Sequence, residues 1–219
     1  FSDATTTAGL AAATVDLLGW GTRFFDYDND GRLDLFVANG HVYPQVAQAE
    51  TGSTYGQSNQ LFRNLDRSRF DLVDIGLTDQ KVSRGTASGD YDNDGDIDLF
   101  IVELNDAPTL LRNDGGNTAN WLVVQVIGSD DNRDGAGTRI RLEIAGHSQS
   151  RTVNGAASYL SHNDLRVHFG LGELKKVVQV KIIWPNGSVD IVEQVPANKL
   201  LVVRQGTTNT ILELGSNPF

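Results

Sequence analysis

The chain has 219 residues, with 28 acidic and 18 basic side chains, no cysteine, no methionine and a formal net charge of −10. This length allows one or two domains with cores of their own, and the acidic balance excludes a nucleic-acid partner, which needs a basic face. No apolar run approaches the length of about 18 residues that suits a membrane span, so membrane insertion is not expected.

The first half consists of short apolar segments separated by Gly, Asn and Asp, arranged as two similar units. Each unit offers about four strands over about 64 residues, which is the pattern of a propeller blade. The first unit also carries an insertion between Asn39 and Ser58. The predicted strands are, in chain order, Phe1–Thr5, Leu33–Ala38, Asn59–Asn64, Phe70–Asp74, Ile97–Val102 and Thr109–Asn113.

Two blades cannot close a ring, since propellers usually contain about four to eight. The second unit also lacks a fourth predicted strand, and the chain begins with Phe1 rather than Met. We therefore expect a mature or excised fragment whose two blades are part of a larger propeller.

An acidic string occurs once in each unit, as DYDNDGRLDL from Asp26 and as DYDNDGDIDL from Asp90. Carboxylates at alternate positions of a tight loop repel one another unless a cation neutralises them, and calcium prefers six to eight oxygen ligands of this kind. The repeat therefore predicts two calcium sites. The predicted ligands are aspartate carboxylates together with the backbone carbonyls of Arg32 and Asp96, namely Asp26, Asp28, Asp30, Arg32 and Asp34 in the first loop and Asp90, Asp92, Asp94, Asp96 and Asp98 in the second.

These loops begin like an EF-hand but do not continue as one. The twelfth loop position is Val37 in the first copy and Ile101 in the second, where an EF-hand needs a bidentate Glu. The following segment is a β-branched strand rather than a helix. The ion is therefore expected to be structural, tying each loop to its strand, and no catalytic residue is predicted.

A change of composition at residues 113–117 predicts a boundary between a first domain, residues 1–116, and a second, residues 117–219. Beyond it, apolar and polar residues alternate, which is typical of sheets with one solvated face. Eight short strands favour a β-sandwich, so the predicted fold is all-β, with two propeller-type blades followed by a C-terminal β-sandwich. The eight strands are expected at Trp121–Ile127, Thr138–Ile144, Ser148–Asn154, Leu165–Phe169, Val177–Trp184, Ser188–Val195, Lys199–Arg204 and Thr210–Leu214.

Several other residues have two readings. Asp130, Asn132 and Asp134 repeat the acidic spacing with poorer ligands, so they indicate either a third calcium site or an ordinary hairpin loop. His41 lies either in a ligand pocket formed by the insertion or in a loop that its ring stabilises. His162 and His168 are interpreted as packed residues. Trp20, Trp121 and Trp184 are interpreted as core or boundary residues. Asn186 belongs either to an ordinary turn or to an N-glycosylation site.

With these residues in view, the first half resembles the FG-GAP/VCBS repeats of extracellular propellers and integrin α-subunits. The second half resembles the ASPIC/UnbV domain of the cartilage-acidic-like family. That resemblance implies a calcium-dependent protein that is secreted, on the cell surface or in the periplasm. The strings that carry the second resemblance are Asn120–Leu122, Asn132–Gly137, Ser158–Ser161, His168–Gly172, Trp184–Gly187 and Val195–Asn198.

The function expected from this reading is a calcium-binding extracellular module for adhesion or scaffolding, with a protein or glycan ligand at the cell surface. One alternative is a carbohydrate-active enzyme fragment with a pocket on the loop face near His41 and Tyr43. Another is a structural subunit of a homo-oligomer or larger assembly, formed through exposed strands near Phe1 or Thr109.

Overall fold

The regular secondary structure of the computed structural model is almost all β, with 46% strand and 5% helix. It describes residues 1–49, 52–66, 68–115, 118–129, 131–144, 146–156, 158–207 and 209–215. The helical elements are α1 Ala11–Thr14 and a 3-10 helix at Pro44–Ala49. The strands are β1 Gly19–Phe25, β2 Asp34–Asn39, β3 Gln60–Asn64, β4 Phe70–Val73, β5 Ser83–Gly89, β6 Asp98–Glu103, β7 Thr109–Leu111, β8 Asn120–Ile127, β9 Arg139–Ile144, β10 His147–Thr152, β11 Val167–Gly172, β12 Lys176–Ile183, β13 Val189–Pro196, β14 Leu200–Arg204 and β15 Thr210–Leu212.

The first half forms two antiparallel sheets, one with the order β1-β2-β3-β4 and one with the order β5-β6-β7. Each acidic loop joins the first two strands of its sheet. The two registers agree, since Phe25 pairs with Asp34 in one sheet and Gly89 pairs with Asp98 in the other. The repeat seen in the sequence is therefore a repeat of structure, as expected for two propeller-type blades.

The two blades share one hydrophobic core. Phe36 and Leu61 of the first sheet and Ile101 of the second are buried in it, with Leu99 and Phe25 beside them. Strand β5 lies against β1 and β2, so the blades pack face to face. Burial of these side chains stabilises the pair of sheets, and each would expose an apolar face without the other.

The second half forms two four-stranded sheets, β10-β9-β12-β13 and β11-β8-β14-β15. All pairs are antiparallel except β8 with β14. Leu122, Phe169 and Leu201 from one sheet and Ile140 and Ile182 from the other are fully buried in a common core. This is the predicted β-sandwich, and all eight predicted strands are present with ends shifted by a few residues.

The prediction of a strand at Phe1–Thr5 is wrong. Residues 1–4 have no regular structure, and a turn follows at residues 5–9. The reason is local hydrogen bonding, because the Thr5 amide donates to Asp3 Oδ1 at 2.8 Å and the Ala8 amide donates to the Ala4 carbonyl at 2.8 Å. Short polar side chains of this kind favour turns over a sheet ladder.

The chain passes from β7 to β8 through residues 112–119, of which 116 and 117 lie outside the described residues. The domain limits, 1–116 and 117–219, stay a prediction. No helix in the described part of the chain is long and apolar enough to cross a membrane.

Candidate metal centres

The first acidic loop is closed by its own first carboxylate. Asp26 Oδ1 accepts a hydrogen bond from the Asp30 amide at 3.0 Å, and Asp26 Oδ2 accepts one from the Gly31 amide at 2.7 Å. The chain reverses at two left-handed residues, Asn29 with φ of 57° and Gly31 with φ of 91°. Asn is among the few residues that tolerate this conformation, and Gly adopts it without a Cβ penalty.

This closure brings three carboxylates together. One oxygen each of Asp26, Asp28 and Asp34 lies within 4.8 Å of the other two. Asp34 is fully buried and accepts hydrogen bonds from the amides of Tyr27 at 3.1 Å and Asn64 at 2.8 Å. Asp28 Oδ1 is buried and accepts no hydrogen bond from any described residue.

The second loop repeats this arrangement. Asp90 accepts hydrogen bonds from the amides of Asp94 at 3.1 Å and Gly95 at 3.0 Å. Asp98 accepts from the amides of Tyr91 at 3.1 Å and Asn113 at 2.9 Å. The three carboxylates that meet are those of Asp90, Asp92 and Asp98, again within 4.8 Å of one another.

The side chains of the remaining predicted ligands form other hydrogen bonds and ion pairs. Asp30 Oδ1 accepts from the Arg32 amide at 2.8 Å, and its other oxygen pairs with the Arg32 guanidinium. Asp94 Oδ1 accepts from the Asp96 amide at 2.9 Å. Asp96 Oδ1 accepts from Asn29 Nδ2 of the first loop at 3.1 Å. The part that these four residues would play in a metal site stays a prediction.

Burial and mutual repulsion disfavour the ionised state of these carboxyls. Burial raises the pKa of Asp26 to about 8, with Asp30, Asp34 and Asp28 adding repulsion against the opposing Gly31 hydrogen bond. Burial likewise raises the pKa of Asp34 to about 7 and that of Asp90 to about 6. Buried charge is costly unless it is paired or coordinates a metal.

A hard divalent cation fits both centres. Each offers three crowded carboxylates, which as anions accept bonds and donate none. The buried Asp28 Oδ1 without a donor is the kind of group that an ion satisfies. Partial compensation is already present in the first loop, where the exposed Arg63 pairs with Asp28 at 2.7 Å. These acidic clusters can therefore bind a metal ion.

Both loops also form the contact with the second half of the chain. The Asn29 carbonyl accepts from the Gly172 amide at 2.8 Å. His168 Nε2 lies 3.1 Å from the Gly95 carbonyl. Two glycines permit this approach, because a Cβ on Gly170 would lie 2.1 Å from Asp26 Oδ2 and one on Gly95 would lie 2.0 Å from Trp121 Nε1. The candidate centres thus lie at the junction of the blades and the sandwich.

The third acidic string has a different structure in its described part, which excludes Asp130. The Asn132 side chain accepts from the Ala136 amide and donates to the Ala136 carbonyl, both at 3.0 Å. Asp134 is exposed. These contacts are those of a hairpin loop, while a third calcium site stays an untested hypothesis.

The insertion of the first unit borders an open cavity of about 600 Å³ that includes His41, Tyr43 and Val46. His41 Nδ1 accepts a hydrogen bond from the Tyr43 amide at 3.0 Å, so the ring stabilises its own loop.

Trp121 and Trp184 are buried, as their packing interpretation expects. Trp20 is covered by Arg84, 4.5 Å from the ring centroid.

Two family models match different parts of the chain. Residues 26–101 match the model of the FG-GAP-like repeat, and residues 128–210 match that of ASPIC and UnbV. Cartilage acidic protein 1 of Homo sapiens is 27% identical over 202 residues, which are 86% of this chain and 27% of that protein. The proteins of that name from Mus musculus and Xenopus tropicalis are 27% and 25% identical, each over 75% of this chain and 25% of their own length.

The chain therefore spans about a quarter of the length of the curated relatives it matches. The first match covers β2 to β6, and the second covers β9 to β14. Residues 26–101 are therefore similar to FG-GAP-like repeats and residues 128–210 to ASPIC and UnbV, and over most of its length the chain is similar to cartilage acidic protein 1.

Proposed function

We propose that this chain is a calcium-stabilised binding or scaffold module of an extracellular or cell-surface protein. The observation that carries the proposal is the pair of carboxylate clusters, Asp26, Asp28 and Asp34 in one loop and Asp90, Asp92 and Asp98 in the other. Calcium is favoured over magnesium because it accepts irregular sets of oxygen ligands, whereas magnesium needs near-octahedral geometry. When bound, the ion would supply positive charge to the buried carboxylates.

The residues of the chain supply the rest of the mechanism. Asp26 and Asp90 fold each loop by accepting two backbone amides apiece. Asp34 and Asp98 join the loop to the next strands through the amides of Asn64 and Asn113. A bound ion would keep these aspartates ionised at neutral pH, and each loop would then be held against the sandwich. Gly170 and Gly95 leave room for this close approach.

Three observations support the location and the kind of partner. The relatives are named for cartilage, a tissue rich in extracellular matrix, and FG-GAP-like repeats are matched over the blades. The acidic balance disfavours nucleic acid, so we infer a protein or glycan partner at the cell surface. The exposed Tyr43 and Val42 beside the open cavity offer a contact surface for such a partner.

The first prediction concerns calcium itself. Calcium should raise the melting temperature of the whole chain, and EGTA should reverse the rise, because the ion relieves repulsion among the buried carboxylates. The double variant Asp28→Ala with Asp92→Ala should lose the response. Calorimetric melting with and without calcium measures the effect.

The matched control is Asp71→Ala with Asp79→Ala, which removes two exposed aspartates outside the loops and should keep the full calcium response. A melting temperature of the unmodified chain that is the same in calcium and in EGTA would refute the structural-calcium proposal. Magnesium at the same concentration tests the choice of ion, and an equal response to magnesium would contradict it.

A further inference from the structure

A second, cationic feature lies beside the acidic loops. A cavity of about 290 Å³ opens between the blades and the sandwich, and three arginines line it, Arg23 of β1, Arg151 of β10 and Arg166 just before β11. Arg166 is already neutralised, since its Nε donates to Asp164 Oδ2 at 2.7 Å. Within the described part of the chain, Arg23 and Arg151 form no ion pair.

The two unpaired guanidiniums also have spare donors. Arg23 donates through Nε to Ser88 Oγ at 2.7 Å. Arg151 donates to the Ser150 carbonyl at 3.1 Å and makes a long contact of 3.5 Å with Gln149 Oε1. Its Nε is buried and has no partner among the described residues. A buried donor without an acceptor costs free energy.

Acidic and basic groups both line this cavity, since Asp26 lies there beside Arg23 and Arg151. Burial lowers the pKa of Arg151, the charge of Asp26 opposes that shift, and the positive charge of Arg23 adds a smaller lowering. Both oxygens of Asp26 are turned to the backbone amides of its own loop. Arginine stays protonated even when buried, so Arg23 and Arg151 bring two positive charges to this cavity, and an anion from outside the chain would compensate them.

We propose that this cavity binds a sulfate or phosphate group between the guanidiniums of Arg23 and Arg151. Guanidinium presents paired N–H donors that match the oxygens of such groups, and charge-assisted bonds of this kind are strong. The cavity is at the lower end of ligand-pocket volumes, which suits an oxyanion with at most a small organic carrier. A free inorganic ion and a sulfated or phosphorylated sugar offer the same group, so the experiment compares them.

The test is isothermal titration of the whole chain with sodium sulfate, glucose 6-sulfate and glucose 6-phosphate, with sodium chloride at matched ionic strength as the reference. We expect saturable binding of at least one of the three. Tighter binding of an ester identifies a sugar carrier, and equal binding identifies the inorganic ion; both results support the site. Absence of saturable binding to all three overturns the proposal, whatever the calcium response of the protein.

Variants test whether Arg23 and Arg151 bind the anion. Arg23→Gln and Arg151→Gln should each weaken binding about tenfold or more, because each removes charge-assisted hydrogen bonds. Arg139→Gln, which removes an exposed arginine of β9, is the matched control and should leave the affinity unchanged. Should a glutamine variant fail to fold, Arg151→Lys keeps the charge but loses the paired donors, and it should still weaken binding. Unchanged affinity in Arg151→Lys and Arg151→Gln, or equal weakening in Arg139→Gln, contradicts the assignment.

Discussion

At the residue scale, Asp26 takes part in several interactions at once. Its carboxylate closes the first loop, belongs to the first cluster and lies against Gly170 of the sandwich. Burial and three neighbouring aspartates raise its pKa to about 8. The fold therefore favours the protonated form unless a cation is present, and stability should depend on pH and on calcium together.

The second prediction follows from this pKa. In the unfolded chain Asp26 titrates near the ordinary value of 3.8, and in the metal-free fold near 8. Its contribution to stability is therefore complete below pH 3.8 and is lost as the pH rises through about 8. In EGTA, the free energy of unfolding of the unmodified chain should fall more steeply over this range than that of Asp26→Asn, which cannot ionise there.

Urea denaturation at several pH values measures the difference between the two proteins. The control is Asp71→Asn, an exposed aspartate of β4, whose pH profile should follow that of the unmodified chain. Parallel profiles for the unmodified chain and Asp26→Asn would show that Asp26 is not perturbed by burial.

At the element scale, the sequence was informative wherever one strand could be recognised from its own residues. Strands β2 and β6 follow the acidic loops as β-branched or apolar runs, and both were predicted. Strands β1 and β5 were missed because glycine and small polar residues lower their β-propensity. Their glycines are explained only by the assembled fold, since a Cβ on Gly21 would lie 2.7 Å from the Arg84 carbonyl oxygen.

The same limit applies to the candidate sites. The carboxylates that meet in each acidic loop are close in sequence, so a spacing rule finds them. Arg23 and Arg151 belong to different halves of the chain, and only the fold brings them to the same cavity. No local pattern marks either residue. Sites made of distant residues need the three-dimensional contacts before they can be recognised.

The third prediction concerns the close approach of β1 and β5. Gly21→Ala should lower the free energy of unfolding by about 1–3 kcal/mol, because the added methyl would overlap the Arg84 carbonyl and the Thr86 amide. Gly115→Ala is the matched control, since among the described residues its Cβ would meet nothing closer than Asn113 Oδ1 at 3.9 Å. Chemical denaturation of both variants checks the difference, and equal losses would contradict the packing explanation.

At the scale of the whole molecule, the hydrophobic core inside the sandwich and that of the blades are joined by a contact that includes polar groups. The sandwich buries Phe169 and Ile182 among its own strands, and the blades bury Phe36 and Ile101 between theirs. The contact between them includes backbone groups of the acidic loops, as where the Gly172 amide donates to the Asn29 carbonyl. The stability of this contact should therefore depend on whether those loops are ordered. The stability of the two cores should depend on it less.

The final prediction follows from this division. With calcium, differential scanning calorimetry should show the blades and the sandwich melting together. With EGTA, the blades should melt at a lower temperature as a separate transition, while the sandwich transition moves little. The Asp28→Ala, Asp92→Ala double variant should show two transitions even in calcium. A single transition that shifts as a whole in EGTA would argue that the two halves are one cooperative unit.

The hydrogen bond from Asn29 Nδ2 to Asp96 Oδ1 connects the two acidic loops directly. If the proposed ions bind there, ordering one loop lowers the entropic cost of ordering the other, and the coupling is reciprocal. Ion uptake would then be cooperative, steeper than for two independent sites. The two loops would then become ordered together as calcium is added.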